Sequence, residues 1–396
     1  MLATLSTLPA RLARIVLGLA LIAVAACEPV GLTGPGGGSG QRIDPGAPVP
    51  VALLVPRSAP DGGATIAQSA ENAARLAMAD LNGVEIDLRV YDTGGDPSRA
   101  AQVANQAVSE GAKVILGPVF SQTSNAAGLA VASKGVNVLS LSNNSSIAGG
   151  NVFVLGNTFQ NTADRLVRYA VAQGKGNIYV IHGNDVAEIQ GRDAIAAAAR
   201  NAGARVVGTG GFELSQNGVT QSVPRLAEEA RASGADAVFL TSGNTGALPF
   251  LADLLPENGL TPQVAQYVGL QRLDIPSEAL SVRGLQGSWF ALPDRAVAGQ
   301  FAARYRARYG GDPHPIVAAP AYDGIAAIGA LVAEGRADAL SRRSLTQTDG
   351  FSGASGVFRL QADGTNQRAL AVAQIRNNQV IVIDPAPRSF GGGFGF

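Results

Sequence analysis

One stretch constrains this chain more than any other. Ala112 to Ser146 reads AKVILGPVFSQTSNAAGLAVASKGVNVLSLSNNSS. Two short apolar runs, Val114–Leu116 and Val136–Leu141, flank an Ala-rich segment, Asn125–Ser133, that predicts a short helix closed by Gly135. Short apolar runs punctuated by Gly and separated by a helix predict buried parallel strands in a βαβ unit. In such sheets ligands bind outside the carboxyl ends of the strands. The first run is followed by Gly117, Pro118, Ser121, Thr123 and Ser124, and the second ends in Ser140, Ser142, Asn143, Asn144, Ser145 and Ser146. These uncharged hydroxyls, amides and glycines suit hydrogen bonding to a small polar ligand, not proton transfer or metal coordination.

The same alternation extends both ways. Strands are expected at Val51–Val55, Ile86–Tyr91 and Val152–Leu155, with helices over Ala64–Asn82 and up to Glu110, the latter opened by Asp96 as N-cap and Pro97 in its first turn. A second series follows: helix Asn161–Gly174, strand Asn177–His182, helix Glu188–Ala202, strand Arg205–Gly210, helix Gln221–Ser233, strand Ala237–Thr241 and helix Ala247–Asn258. Gln266–Val268 and Leu285–Ala291 read as strands, and Arg295–Tyr309 and Ala318–Glu334 as helices. Val357–Leu360, Arg368–Ile375 and Gln379–Ile383 read as a meander with turns at Asp363-Gly364 and Asn377-Asn378. The fold class is therefore α/β, with two doubly wound Rossmann-like lobes around a cleft. Residues 51–156 and 293–345 are assigned to the N-terminal lobe, 157–292 and 346–387 to the C-terminal lobe. Crossovers are expected near Gly156–Thr162, Ala291–Asp294 and Gly350–Gly356, with Gly156, Gly350, Gly353 and Gly356 supplying backbone freedom.

The two ends lie outside this pattern. Arg11 and Arg14 precede an uncharged apolar run, Ile15–Ala26, too short to span a bilayer and shaped like a signal peptide over residues 1–26. Residues 27–50 contain GPGGGSG and PGAPVP and read as a Gly/Pro-rich tether, and 388–396 as a flexible tail. With 30 basic and 30 acidic residues the formal charge is zero, and no basic stripe favours nucleic acid.

Val24-Ala25-Ala26-Cys27 resembles the bacterial lipobox, in which the cysteine receives a diacylglycerol. Cys27 is the one cysteine of the chain, and a lone exposed thiol is otherwise a liability. The motifs VALLVP, YDTGGDP, LGPVFS, VLSLSNN, FALPD, AYDGIAAIGAL and GFSGASGVFRLQADG, in this order over Val51–Ile383, resemble the type 1 periplasmic binding proteins of the leucine/isoleucine/valine-binding group. That resemblance implies ligand contact through Ser121 and the Ser142–Ser145 segment. The group's second lobe commonly adds an aromatic at one turn and an acid at a strand end. The matching places here read His182-Gly183-Asn184-Asp185-Val186 and Thr241-Ser242-Gly243-Asn244, with neither in position. A bound ammonium would lack a carboxylate, so weak binding of branched-chain amino acids is expected. VALLVP, VYDTGG, VILGPV and VLSLSNN also resemble the lipoproteins that activate penicillin-binding proteins.

Catalysis finds little support. His182 and His314 are the two histidines, His314 lies between Pro313 and Pro315, and no nucleophile elbow, Walker loop or zinc spacing occurs. No cofactor and no metal are expected. The cleft residues expected from sequence are Ser121, Thr123, Ser124, Ser142, Asn143, Asn144, Ser145, Asn184, Asp185, Ser242, Asn244 and Tyr322. The reading is a non-enzymatic lipoprotein of the bacterial envelope, periplasmic and anchored through Cys27 to the inner or outer membrane. It is first an activator partnering a penicillin-binding protein. The alternative is the solute-binding component of an ABC transporter, which takes a small polar ligand such as an amino acid to its permease.

Overall fold

The computed structural model describes residues 40–390. The signal-like run, Cys27, most of the tether and the last six residues of the tail lie outside the described residues.

The first sheet contains β1 (Val49–Val55), β2 (Ile86–Asp92), β3 (Val114–Leu116), β4 (Asn137–Ser140) and β5 (Val152–Val154), in the order β2-β1-β3-β4-β5. All its pairings are parallel. Helices α1 (Gly63–Ala79), α2 (Pro97–Ser109) and α3 (Ser121–Val131) connect the first four strands. Alternate side chains leave a strand on opposite faces. Thus Val51, Leu53 and Val55 of β1 enter one core, under α1, while Ala52 and Leu54 enter the other. Asp96 caps α2 as expected, accepting a hydrogen bond from the Arg99 amide at 2.7 Å.

The second sheet runs through α4 (Phe159–Ala172), β6 (Asn177–Gly183), α5 (Val186–Ala202), β7 (Arg205–Phe212), α6 (Gln216–Ala232), β8 (Ala237–Leu240), α7 (Leu248–Glu257), β9 (Gln266–Gly269) and β10 (Trp289–Leu292). With β14 (Ala371–Arg376) and β15 (Gln379–Asp384) at one edge, it has the order β15-β14-β10-β9-β8-β6-β7. The chain then returns to the first core with α8 (Arg295–Tyr309) and α9 (Ala318–Ala333), and a short α10 (Arg342–Leu345) follows. Trp289 packs edge-on against Tyr169, ring centroids 4.9 Å apart.

Three expectations are corrected. The helix placed at Asn125–Ser133 starts at Ser121, because Phe120 already serves as its N-cap. The meander is split. β11 (Phe351–Gly353), β12 (Gly356–Leu360) and β13 (Asn366–Arg368) form a separate antiparallel sheet, while β14 (Ala371–Arg376) and β15 (Gln379–Asp384) close the second sheet. Phe351, Ala354, Phe358 and Leu360 are buried in the first core, so burial holds this small sheet on the first lobe. The third crossover therefore lies at Arg368–Leu370, where Leu370 enters the second lobe's core, and not at Gly350–Gly356. Gly156 matters for close approach, since a Cβ there would lie 2.5 Å from the Ser142 carbonyl oxygen.

Candidate functional site

A cleft of about 730 Å³ opens at the carboxyl ends of β3 and β4. Its first-lobe wall begins at the turn after β3. Gly117 holds φ +88°, and a Cβ there would meet the Leu54 carbonyl oxygen at 2.2 Å, so only glycine fits beside β1. Val119, Phe120 and Ser121 then line the cleft. Phe120 cannot cap α3 through its side chain, and none does. The first-turn amides of Ser121, Gln122 and Thr123 have no intramolecular acceptor among the described residues. Such a terminus presents partial positive charge and free donors to an anion.

The second segment of that wall runs from Leu141 to Ser146. Ser142 Oγ accepts from the Asn144 amide at 3.1 Å, and Asn144 Oδ1 from the Ser146 amide at 2.9 Å. These bonds fold the loop tightly and commit Ser142 Oγ and Asn144 Oδ1 as acceptors. Asn143 and Ser145 remain exposed on the cleft wall.

The opposite wall is helical. Phe159 and Gln160 open α4, fixed by a reciprocal capping box in which Thr158 Oγ1 accepts from the Asn161 amide and Asn161 Oδ1 from the Thr158 amide. Ala187, Gln190 and Ala194 come from one face of α5, at helical spacing, with Asp193 beside them. Ile66 of α1 and the His314–Val317 loop complete the lining. Asp193 is 62% exposed and held by Arg192 at 2.7 Å. Burial pulls the half-buried His314 imidazole below its usual range, towards the neutral form.

The twelve residues expected at the cleft divide. Ser121, Ser142, Asn143, Asn144 and Ser145 line it. Thr123 and Ser124 turn inward because they fall in the first turn of α3: Thr123 Oγ1 donates to the Phe120 carbonyl at 2.8 Å, and Ser124 Oγ lies 2.8 Å from Ser140 Oγ. Asn184 donates to Glu213 at 3.2 Å, and Asp185 caps α5 through the Ala187 and Glu188 amides. Ser242 is fully buried and donates to Glu188, 2.7 Å from Oε2. Asn244 donates to the Arg272 and Ile275 carbonyls at 3.2 and 3.0 Å. Tyr322 lies outside the cleft, donating to Asp80 at 2.5 Å and accepting from Arg304 at 3.2 Å.

Glu188, a second-lobe acid that lies outside the cleft lining, was missed by sequence reasoning. It is buried and accepts from the Gly183 amide (2.5 Å), Thr241 Oγ1 (2.9 Å) and Ser242 Oγ. It binds the ends of β6 and β8 to α5 and faces no cation among the described residues. Phe159, Gln190 and His314 were also missed. Thr158 and Asn161 at capping-box spacing carried the signal for Phe159. Among the described residues, no group of three or more His, Cys, Asp and Glu side chains could hold a metal ion.

Two main sheets joined by three crossovers, with a cleft of mixed polar and apolar lining at the strand ends, make a two-lobed α/β architecture. Residues 48–379 match the family described as "Periplasmic binding protein", and the chain belongs to that family. Solved structures agree in fold. A putative branched-chain amino acid ABC transporter from Rhodospirillum rubrum aligns with TM-score 0.72 and 19% identity, over 85% of this chain and 100% of that one. A substrate-binding protein from Desulfitobacterium hafniense in complex with Leu gives 0.61 and 18%, over 85% and 100%. A solute-binding protein from Rhodopseudomonas palustris in complex with 3,4-dihydroxybenzoic acid gives 0.58 and 15%, over 87% and 98%. A comparison with curated protein sequences finds no match.

Proposed function

We propose that this chain is the solute-binding component of an ABC-type uptake system and that its ligand is a small carboxylate with an apolar body. The observation that carries the reading is the uncapped start of α3, where Ser121 lines the cleft and the amides of Ser121, Gln122 and Thr123 have no intramolecular partner among the described residues. Exposed Asn143 and Ser145 add neutral donors, and Phe120, Phe159, Leu141 and Ile316 supply apolar surface. The ligands named for two of the solved relatives, leucine and 3,4-dihydroxybenzoic acid, are both carboxylic acids. The transport descriptions of these relatives support uptake over the activator role that the sequence placed first.

An ammonium finds less. Asp193 is exposed and already paired, and Glu188 is buried with its oxygens occupied. A desolvated ammonium without a partner costs several kcal/mol, which favours a carboxylate lacking one. Titration calorimetry on ligand-stripped protein tests this. 3,4-Dihydroxybenzoate binds more tightly than leucine, and Ser121→Ala weakens it by roughly tenfold. Tighter binding of leucine, isoleucine or valine overturns the preference.

A further inference from the structure

His314 belongs to no element of the βαβ pattern, yet it reaches the cleft wall. Prolines on both sides restrict its backbone. Its amide donates to Ser69 Oγ at 2.8 Å, and Ser69 is itself buried and lies 3.2 Å from the Tyr305 hydroxyl. Its carbonyl accepts from the Ala318 amide at 3.2 Å, which ties the loop to the start of α9. The residue is therefore anchored from α1, α8 and α9 together. One ring atom is also committed. Nδ1 accepts from the Ile316 amide at 3.3 Å, so in the neutral ring the proton sits on Nε2. Nε2–H has no acceptor among the described residues. A held ring with one spare donor on a cleft wall is built for recognition.

We infer that His314 is a specificity-determining residue whose Nε2–H donates to a second acceptor on the ligand, away from its carboxylate. The inference rests on the carboxylate reading above. Ser121 and His314 line the same cleft, whose volume of about 730 Å³ has room for a ligand body as well as its carboxylate. The favoured class is a small carboxylate carrying a distal carbonyl or hydroxyl oxygen. A site that offers a donor discriminates against an analogue that cannot accept, because the donor is then left unpaired on binding.

The test uses matched pairs in which a carbonyl replaces a branched methyl: 4-acetylbenzoate with 4-isopropylbenzoate, and 5-oxohexanoate with 5-methylhexanoate. Calorimetry on the full chain reads each affinity. The member with the acceptor binds roughly tenfold tighter in at least one pair. His314→Phe brings the two affinities together, and His314→Gln, which keeps an amide donor, restores much of the gap. Unfolding midpoints of both variants separate loss of discrimination from loss of fold. With only two histidines in the chain, a ¹⁵N-histidine spectrum also isolates the His314 ring, whose Nε2 resonance moves with the acceptor-bearing member alone. A gap that is absent, or that survives His314→Phe in a folded variant, overturns the inference while the carboxylate reading stands. Failure of all four probes to bind contradicts both.

Discussion

Asp323 Oδ2 and Arg368 Nη1 lie 2.7 Å apart, with 0% and 6% of their side chains exposed. The pair joins α9 to the third crossover. Arg368 also donates through Nε to the Leu155 carbonyl at 3.1 Å, at the first crossover, and stacks on Phe358. Asp323 accepts in addition from the Ala354 amide at 2.7 Å. Burial drives the Asp323 carboxyl above its usual range, and Arg368 and the Ala354 amide pull it back without cancelling the shift. One buried ion pair thus fixes two of the three connections between the lobes to the first.

Breaking one side of that pair strands a buried charge. Asp323→Asn is expected to lower the unfolding free energy by about 3–5 kcal/mol. Replacing both partners by apolar residues, Asp323→Leu with Arg368→Met, is expected to recover much of the loss. Urea titrations of the three proteins measure this, and a loss below about 1 kcal/mol for Asp323→Asn would show that the pair does not hold the crossovers.

The turn that positions Ser121 is expected to be equally intolerant. Gly117→Ala places a Cβ 2.2 Å from the Leu54 carbonyl oxygen at φ +88°. The cost is at least about 1–2 kcal/mol, and ligand affinity falls with it because the start of α3 is displaced. Thermal unfolding and calorimetry on one preparation check both effects. A variant as stable as the wild type would mean that the turn relaxes freely.

Stability is expected to depend on His314 below neutrality. Burial depresses its folded-state pKa below the unfolded value of 6.5. The associated stability is complete above that value and is lost as pH falls towards the folded pKa, since the unfolded chain takes up the proton first. Asp312 nearby is already paired with Arg306 at 2.7 Å. Unfolding free energies compared between about pH 7.5 and about pH 5.5 should therefore fall less for His314→Gln than for the wild type. Equal slopes would remove His314 from the pH dependence.

The lipid anchor is a proposal of sequence alone. Cys27 lies outside the described residues and ends a lipobox-like run. Cys27→Ala is expected to abolish lipid labelling and membrane partitioning. Fractionation after labelled palmitate feeding reads both, and unchanged partitioning of the variant contradicts the anchor.

How much of this was legible follows from what each residue depends on. Val114–Leu116 was placed to the residue because a short apolar run bounded by glycine has one reading in a parallel sheet. Ser121 and Ser142–Ser145 were legible because strand ends face the cleft in this topology. Thr123 and Ser124 were misplaced because the helix starts at Ser121, two and three residues before them, and a small shift of register turns a side chain from cleft to core. The β11–β13 sheet was assigned to the wrong lobe because strand pattern does not say which core buries Phe351 and Phe358. Glu188 and His314 depend on partners far along the chain, Ser242 and Ser69, which no local pattern links.

The proposed ligand is expected to seat its carboxylate at the start of α3. The most direct measurement is the amide spectrum of ¹⁵N-labelled protein, titrated with whichever of 3,4-dihydroxybenzoate and leucine binds more tightly. The largest shifts are expected at the Ser121, Gln122 and Thr123 amides, followed by Asn143 and Ser145, and with Ser121→Ala they need roughly tenfold more ligand. Shifts confined to the second-lobe strand ends, Asn184–Asp185 and Ser242–Asn244, with the α3 amides unmoved, would contradict it.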